Sequence, residues 1–144
     1  MRDILFRGKT YNDYEEPYRW IEGFVKKAPS GSYYISTFNK QIGWEATRVV
    51  PETVGQFSTV VDCNAKNIFD GDIVRYSEFN GYDGGDEPRI GVVVFKYCAF
   101  LICYEGYGTD EEEYHDLWWA KTNDCELEVI GNIFDTPELL TEAK

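Results

Sequence analysis

The sequence predicts a mainly β protein, an N-terminal β-meander packed on a small barrel-like antiparallel sheet, with a short C-terminal helix. Three observations carry that prediction. Aromatic residues make up 17% of the chain, as 11 Tyr, 9 Phe and 4 Trp, and aromatic and β-branched side chains suit a half-buried pleated surface. The 13 glycines punctuate short apolar runs, as turns between strands require. No stretch keeps apolar residues at a sustained helical period. With 144 residues there is room for one domain or two small ones. A division into a meander, residues 1–51, and a barrel-like part, residues 52–144, falls at Pro51.

The elements follow in order. Ile4-Leu5-Phe6 begins a short strand that Gly8-Lys9 ends, and residues 12–17 form a polar loop. Residues 18–25 alternate loosely, residues 26–31 contain the turn-forming Pro29-Ser30-Gly31, and residues 32–38 return antiparallel. Asn39-Lys40-Gln41 turns the chain into a third strand that ends near Val50. Residues 62–74 are the junction to the second half. Asp62, Asn64, Lys66 and Asn67 form a polar, turn-making run into Ile68-Phe69. Asp70-Gly71-Asp72 is then a tight turn, in which Gly71 takes a backbone shape a Cβ would resist and Asp72 bonds backbone amides. Reading Asp70 and Asp72 instead as a metal or acid–base pair fails for want of further ligands or a base nearby.

Ile73 to Tyr76 opens the second sheet. A Gly/Asp-rich loop over residues 77–88 includes Asp83-Gly84-Gly85-Asp86-Glu87, which lacks the ligand spacing of a calcium loop. Residues 89–97, with their β-branched run, are the clearest strand, and residues 98–104 pair with it although no strong turn dipeptide separates them. Residues 111–117 read as strand or as a turn or two of helix. Residues 125–130 alternate as a strand, and Thr136 with Pro137 behind it reads as an N-cap and first helical position. Core candidates are Phe6, Trp20, Phe24, Tyr34, Ile35, Val54, Ile73, Val74, Val92, Val94, Leu101, Val129 and Ile133.

Charge and cysteine content narrow the function. The formal net charge is −12, and residues 1–75 hold 10 Lys+Arg against 10 Asp+Glu, so the whole excess lies in residues 76–144, with 4 against 16. Phosphate neutralisation needs clustered cations, so no direct nucleic-acid binding is expected. The acid serves solubility, or offers a surface to a basic partner. The N-terminus has no apolar signal core and no apolar run approaches the ~18 residues of a membrane span, which sets the expectation of a cytosolic protein with no membrane partner. Cys63, Cys98, Cys103 and Cys125 are then reduced, and Cys98 and Cys103, in an apolar run, are expected to be buried and inert. With no C-x₂-C pair and His115 as the sole histidine, no zinc site is expected.

The candidate interaction patch is Asp110, Glu111, Glu112, Glu113, Tyr114, Trp118 and Trp119, where five acids up to Asp116 adjoin two tryptophans. Aromatics ringed by charge anchor protein interfaces; the plainer reading is a solvated loop and an edge strand whose tryptophans pack into the core. No phosphate loop, nucleophile elbow or HExxH occurs. No catalytic residue, metal ligand or cofactor is assigned.

Phe6-Arg7-Gly8-Lys9, Thr53-Val54-Gly55-Gln56-Phe57, residues 62–74 ending Asp70-Gly71-Asp72-Ile73-Val74, the closing Glu128-Val129-Ile130-Gly131-Asn132-Ile133-Phe134, and Pro137-Glu138-Leu139-Leu140 together resemble the YopX family of phage and prophage proteins. The sequence departs where Ser58-Thr59-Val60 stands for a usual Thr-Gly-Leu, where Ala65 replaces a turn glycine after Asn64, and where Asp70 replaces a Glu. The resemblance implies a mainly β protein of bacteriophages or prophages, with no catalytic residues to carry over. The expected function is that of a non-enzymatic accessory protein in the bacterial cytosol, binding a protein partner or itself. Two alternatives stay open: an acidic mimic that blocks a DNA-binding protein, and an enzyme using carboxylates and a cation. A cleft joining His115 to Asp72 or Glu105 would favour the last.

Overall fold

The computed structural model describes residues 4–12, 17–78, 87–123 and 126–142. The chain divides into two compact units, Met1–Phe57 and Ser58–Lys144.

In the first unit, strands β1 (Phe6–Lys9), β2 (Trp20–Lys27), β3 (Tyr33–Asn39) and β4 (Gly43–Val49) form an antiparallel sheet in the order β4-β3-β2-β1. The first residues of β5 (Gly55–Val61) lie beside β1, with Gln56 opposite Phe6 and Gly55 opposite Arg7. The hairpin turns form where the sequence places them. The Ala28 N–H donates to the Ser32 carbonyl, and Asn39 Oδ1 accepts the Gln41 N–H at 2.8 Å. A 3₁₀ turn, Pro51–Thr53, follows β4; its Thr53 hydroxyl donates to the Val50 carbonyl at 2.6 Å and accepts the Lys9 N–H at 2.9 Å. Ile35 and Val49 are fully buried. Gly8 does not end β1 but lies within it. A Cβ there would sit 2.8 Å from the Val49 Cβ, so the glycine lets Val49 pack against the strand backbone. The Val50 N–H reaches the Lys9 carbonyl, and one isolated bridge pairs Thr10 with Val49.

The second unit continues with the rest of β5, β6 (Asn67–Phe69) beside it, and a separate five-stranded antiparallel sheet. That sheet contains β7 (Asp72–Glu78), β8 (Glu87–Lys96), β9 (Ala99–Glu105), β10 (Glu113–Asp116) and β11 (Glu128–Asn132), ordered β10-β9-β8-β7-β11. It is open rather than barrel-like. The C-terminal strand β11 pairs with β7 and leaves β10 and β11 as the two edges. Burial is achieved by layering instead of closure. Helix α1 (Leu117–Asn123) lays Leu117 and Ala120 on a face that presents Val74, Tyr76, Val93 and Ile102. Val60, Ile68, Leu127 and Val129 complete this core, and each fully buried aliphatic side chain in it contributes about 1.5–3 kcal/mol.

The junction at residues 62–74 is structural, as its turn chemistry predicts. Asp62, 3% exposed, accepts the N–H groups of Asn64 and Lys66 on Oδ1 and that of Val129, in β11, on Oδ2. Gly71 has φ +95° in the turn between β6 and β7, and Asp72 Oδ2 accepts the Phe69 N–H at 2.8 Å. Left-handed backbone also occurs at Thr59 (φ 70°) and Ala65 (φ 62°).

Several expectations are corrected. Phe24 is 54% exposed, because Gly23 and not Phe24 takes the inward position of β2. Among the other core candidates, Ile35, Ile73, Val74, Val92 and Val129 are buried, while Phe6, Trp20, Tyr34, Val54, Val94, Leu101 and Ile133 are half-buried. Cys98 is exposed and only Cys103 is buried, because Cys98 lies in the β8–β9 turn and not in a strand. That turn is two residues long, with Lys96 opposite Ala99. Tyr97 (φ 52°) and Cys98 (φ 62°) adopt there the doubly left-handed backbone of a type I′ hairpin without the usual Asn-Gly. Thr136 does not cap a helix; its hydroxyl bonds both the N–H and the carbonyl of Asn132, and the final helix, α2, covers Leu139–Glu142. Residues 79–86, with most of the calcium-like stretch and the Gly/Asp-rich loop, lie outside the described residues, as does Cys125. Among the described residues no helix is long and apolar enough to cross a membrane.

Candidate functional site

The candidate patch is built on β10 and α1, at one edge of the second unit's sheet. A loop with two left-handed glycines, Gly106 (φ 73°) and Gly108 (φ 82°), leads in, and the Thr109 hydroxyl donates to the Gly106 carbonyl at 2.6 Å. Asp110 and Glu111 follow as exposed turn residues. The register of β10 shifts between Glu113 and Tyr114, which lie opposite Glu105 and Cys103 on one face of β9, while His115 lies opposite Ile102 on the other. The seven patch residues, contiguous or nearly so in sequence, are divided between two faces.

On one face Tyr114 lies opposite Cys103. Lys96 reaches across from β8, its Nζ 2.9 Å from Glu112 Oε1 and 3.2 Å from the Tyr114 hydroxyl. The hydrogen bond from Lys96, with lesser ones from Cys103 and Tyr114, holds the Glu112 carboxyl below its ordinary range. The same bond to Glu112 pushes the Lys96 ammonium above its ordinary value. Burial, reinforced by the Glu112 carboxylate, pushes the Cys103 thiol up to about 11. The Tyr97 ring meets the Tyr114 ring edge-on, with centroids 6.2 Å apart.

On the other face His115 is surrounded by rings. It stacks on Tyr104 at 4.3 Å, meets Trp119 at 5.0 Å, and lies edge-on to Tyr76, whose hydroxyl is 2.7 Å from His115 Nδ1. The Arg89 guanidinium covers Tyr104 at 4.7 Å. Trp118 and Trp119 are corrected from edge strand to helix. Asp116 Oδ1 accepts the Trp119 N–H at 2.9 Å, an N-cap on the third helical position. Leu117 and Ala120, three apart, turn inward, which sends Trp118 outward at 64% exposure and leaves Trp119 at 37%. Trp118, Asp110, Glu111 and Glu113 are thus exposed, while Glu112 and Tyr114 are committed to Lys96.

Chemically the arrangement offers contact surface. His115 faces Tyr76 and two further rings, and Asp72 Oδ2 accepts the Phe69 N–H. Among the described residues no three His, Cys, Asp or Glu side chains gather into a set that could hold a metal ion. A shallow pocket of about 400 Å³ lies elsewhere in the unit, lined by Cys63, Arg75, Ser77, Pro88, Glu126 and Glu128 among others, with Arg75 and Glu128 ion-paired at 2.7 Å. Sequence reasoning missed Tyr76, Arg89, Lys96, Tyr97 and Tyr104. They reach the patch through strand pairing, and no local spacing signals them.

A family model described as YopX protein matches residues 8–141. Among solved structures the chain is similar to protein yopX from Bacillus subtilis, with 16% identity, 97% of each chain covered and a TM-score of 0.53. It is also similar to protein EF1440 from Enterococcus faecalis, with 19% identity, 97% of this chain and 99% of that chain covered, and a TM-score of 0.46. At this level of identity the first likeness is one of fold. No curated protein matches the sequence.

Proposed function

The chain belongs to the YopX family, and on that footing we propose that it is a non-enzymatic phage or prophage accessory protein acting by protein–protein contact, with itself or with a partner, in the bacterial cytosol. The observation that carries this reading is Trp118. Trp118 is left 64% exposed on a helix whose inward side is packed, and tryptophan is a residue type enriched at protein interfaces. It follows directly on β10, an edge strand of the sheet, and Asp110, Glu111 and Glu113, a few residues earlier in the chain, are exposed. A large ring with a charged surround is the composition of an interface anchor. Imitation of a nucleic-acid strand uses this surface less well, because Glu112 and Glu128 are held by Lys96 and Arg75 and Asp116 caps α1.

The test is the protein's mass in solution and its capture of partners, wild type against Trp118→Ala. Assembly, or capture of a defined partner, that the variant loses at unchanged melting temperature is the expected result. A wild-type chain that stays monomeric and captures nothing the variant does not would overturn the reading.

A further inference from the structure

We draw no further inference here: the strongest candidate, the surface patch of exposed rings that Phe24, Phe38 and Trp44 form on strands β2, β3 and β4 of the first unit, carries nothing because nothing in the structure shows what covers it, with Glu22 as near Phe24 along β2 as Lys26 and the Arg48 guanidinium packed over Tyr11.

Discussion

At the scale of residues, the backbone shows where this chain departs from its relatives. Thr59 and Ala65 stand where the family resemblance expects glycine, and both have left-handed φ, 70° and 62°. A β-branched residue at positive φ is a rarity. Glycine relieves a strain of about 1–2 kcal/mol at such a position, against part of that in added chain entropy. Thr59→Gly and Ala65→Gly are each expected to raise unfolding free energy by roughly 1 kcal/mol, measured by urea denaturation. Gly71→Val at φ +95° acts in the opposite direction, costing about 2 kcal/mol or more; wild-type stability in that variant would contradict the turn assignment. The cysteines give a second residue-level prediction. Exposed Cys98 is alkylated readily in the native protein at mildly alkaline pH, whereas Cys103, buried and with a thiol raised to about 11, reacts only on unfolding. Peptide mapping by mass spectrometry checks the order. Gly71 and the Ala65 substitution are legible in the sequence because they are matters of local backbone. The burial of Cys103 and the exposure of Cys98 are not, because an apolar run gives no sign of where its hairpin turns.

At the scale of elements, two polar contacts tie separate elements together. Asp62 joins the junction to β11 through three backbone N–H groups. Asp62→Ala leaves them buried without their acceptor and is expected to cost about 3 kcal/mol, read as a lowered denaturation midpoint. The Lys96–Glu112 pair fastens the approach to β10 to β8. Since the folded state depresses the Glu112 pKa, the stabilisation it gives is present above the unfolded glutamate value of about 4.3 and is lost as pH falls through the lower folded value. An NMR titration should find the Glu112 midpoint below that of an ordinary glutamate, and Lys96→Met should return it. The strand hairpins of the first unit were readable from alternation and turn residues. Residues 111–123 were not. The acids mask the point at which Asp116 caps a helix, and only the packing of Leu117 and Ala120 on the sheet decides that Trp118 faces outward. The open sheet is a fact of the same kind, for the alternation of β11 does not reveal that its partner is β7.

At the scale of the whole molecule, the chain puts its chemistry on surfaces. The second unit carries the acid surplus and Trp118; the first, nearly neutral, carries the exposed rings of Phe24, Phe38 and Trp44. The charge asymmetry is visible in the sequence. The surfaces are not, because each is assembled by strand register. A protein that works by contact should tolerate changes at His115 better than at Trp118. His115→Phe, which keeps a ring between Tyr104 and Trp119 while losing the bond to the Tyr76 hydroxyl, is expected to leave partner capture or assembly within about threefold of wild type, since a half-buried residue outside the anchor changes binding little. The most direct measurement is sedimentation velocity of wild type and Trp118→Ala over a range of concentrations, in the absence and presence of any protein captured by the wild type. Wild-type chain that sediments as an assembly, alone or with that protein, and a variant that sediments as a folded monomer, is the predicted result. Identical sedimentation of the two, or a wild-type monomer that forms no complex, would contradict it.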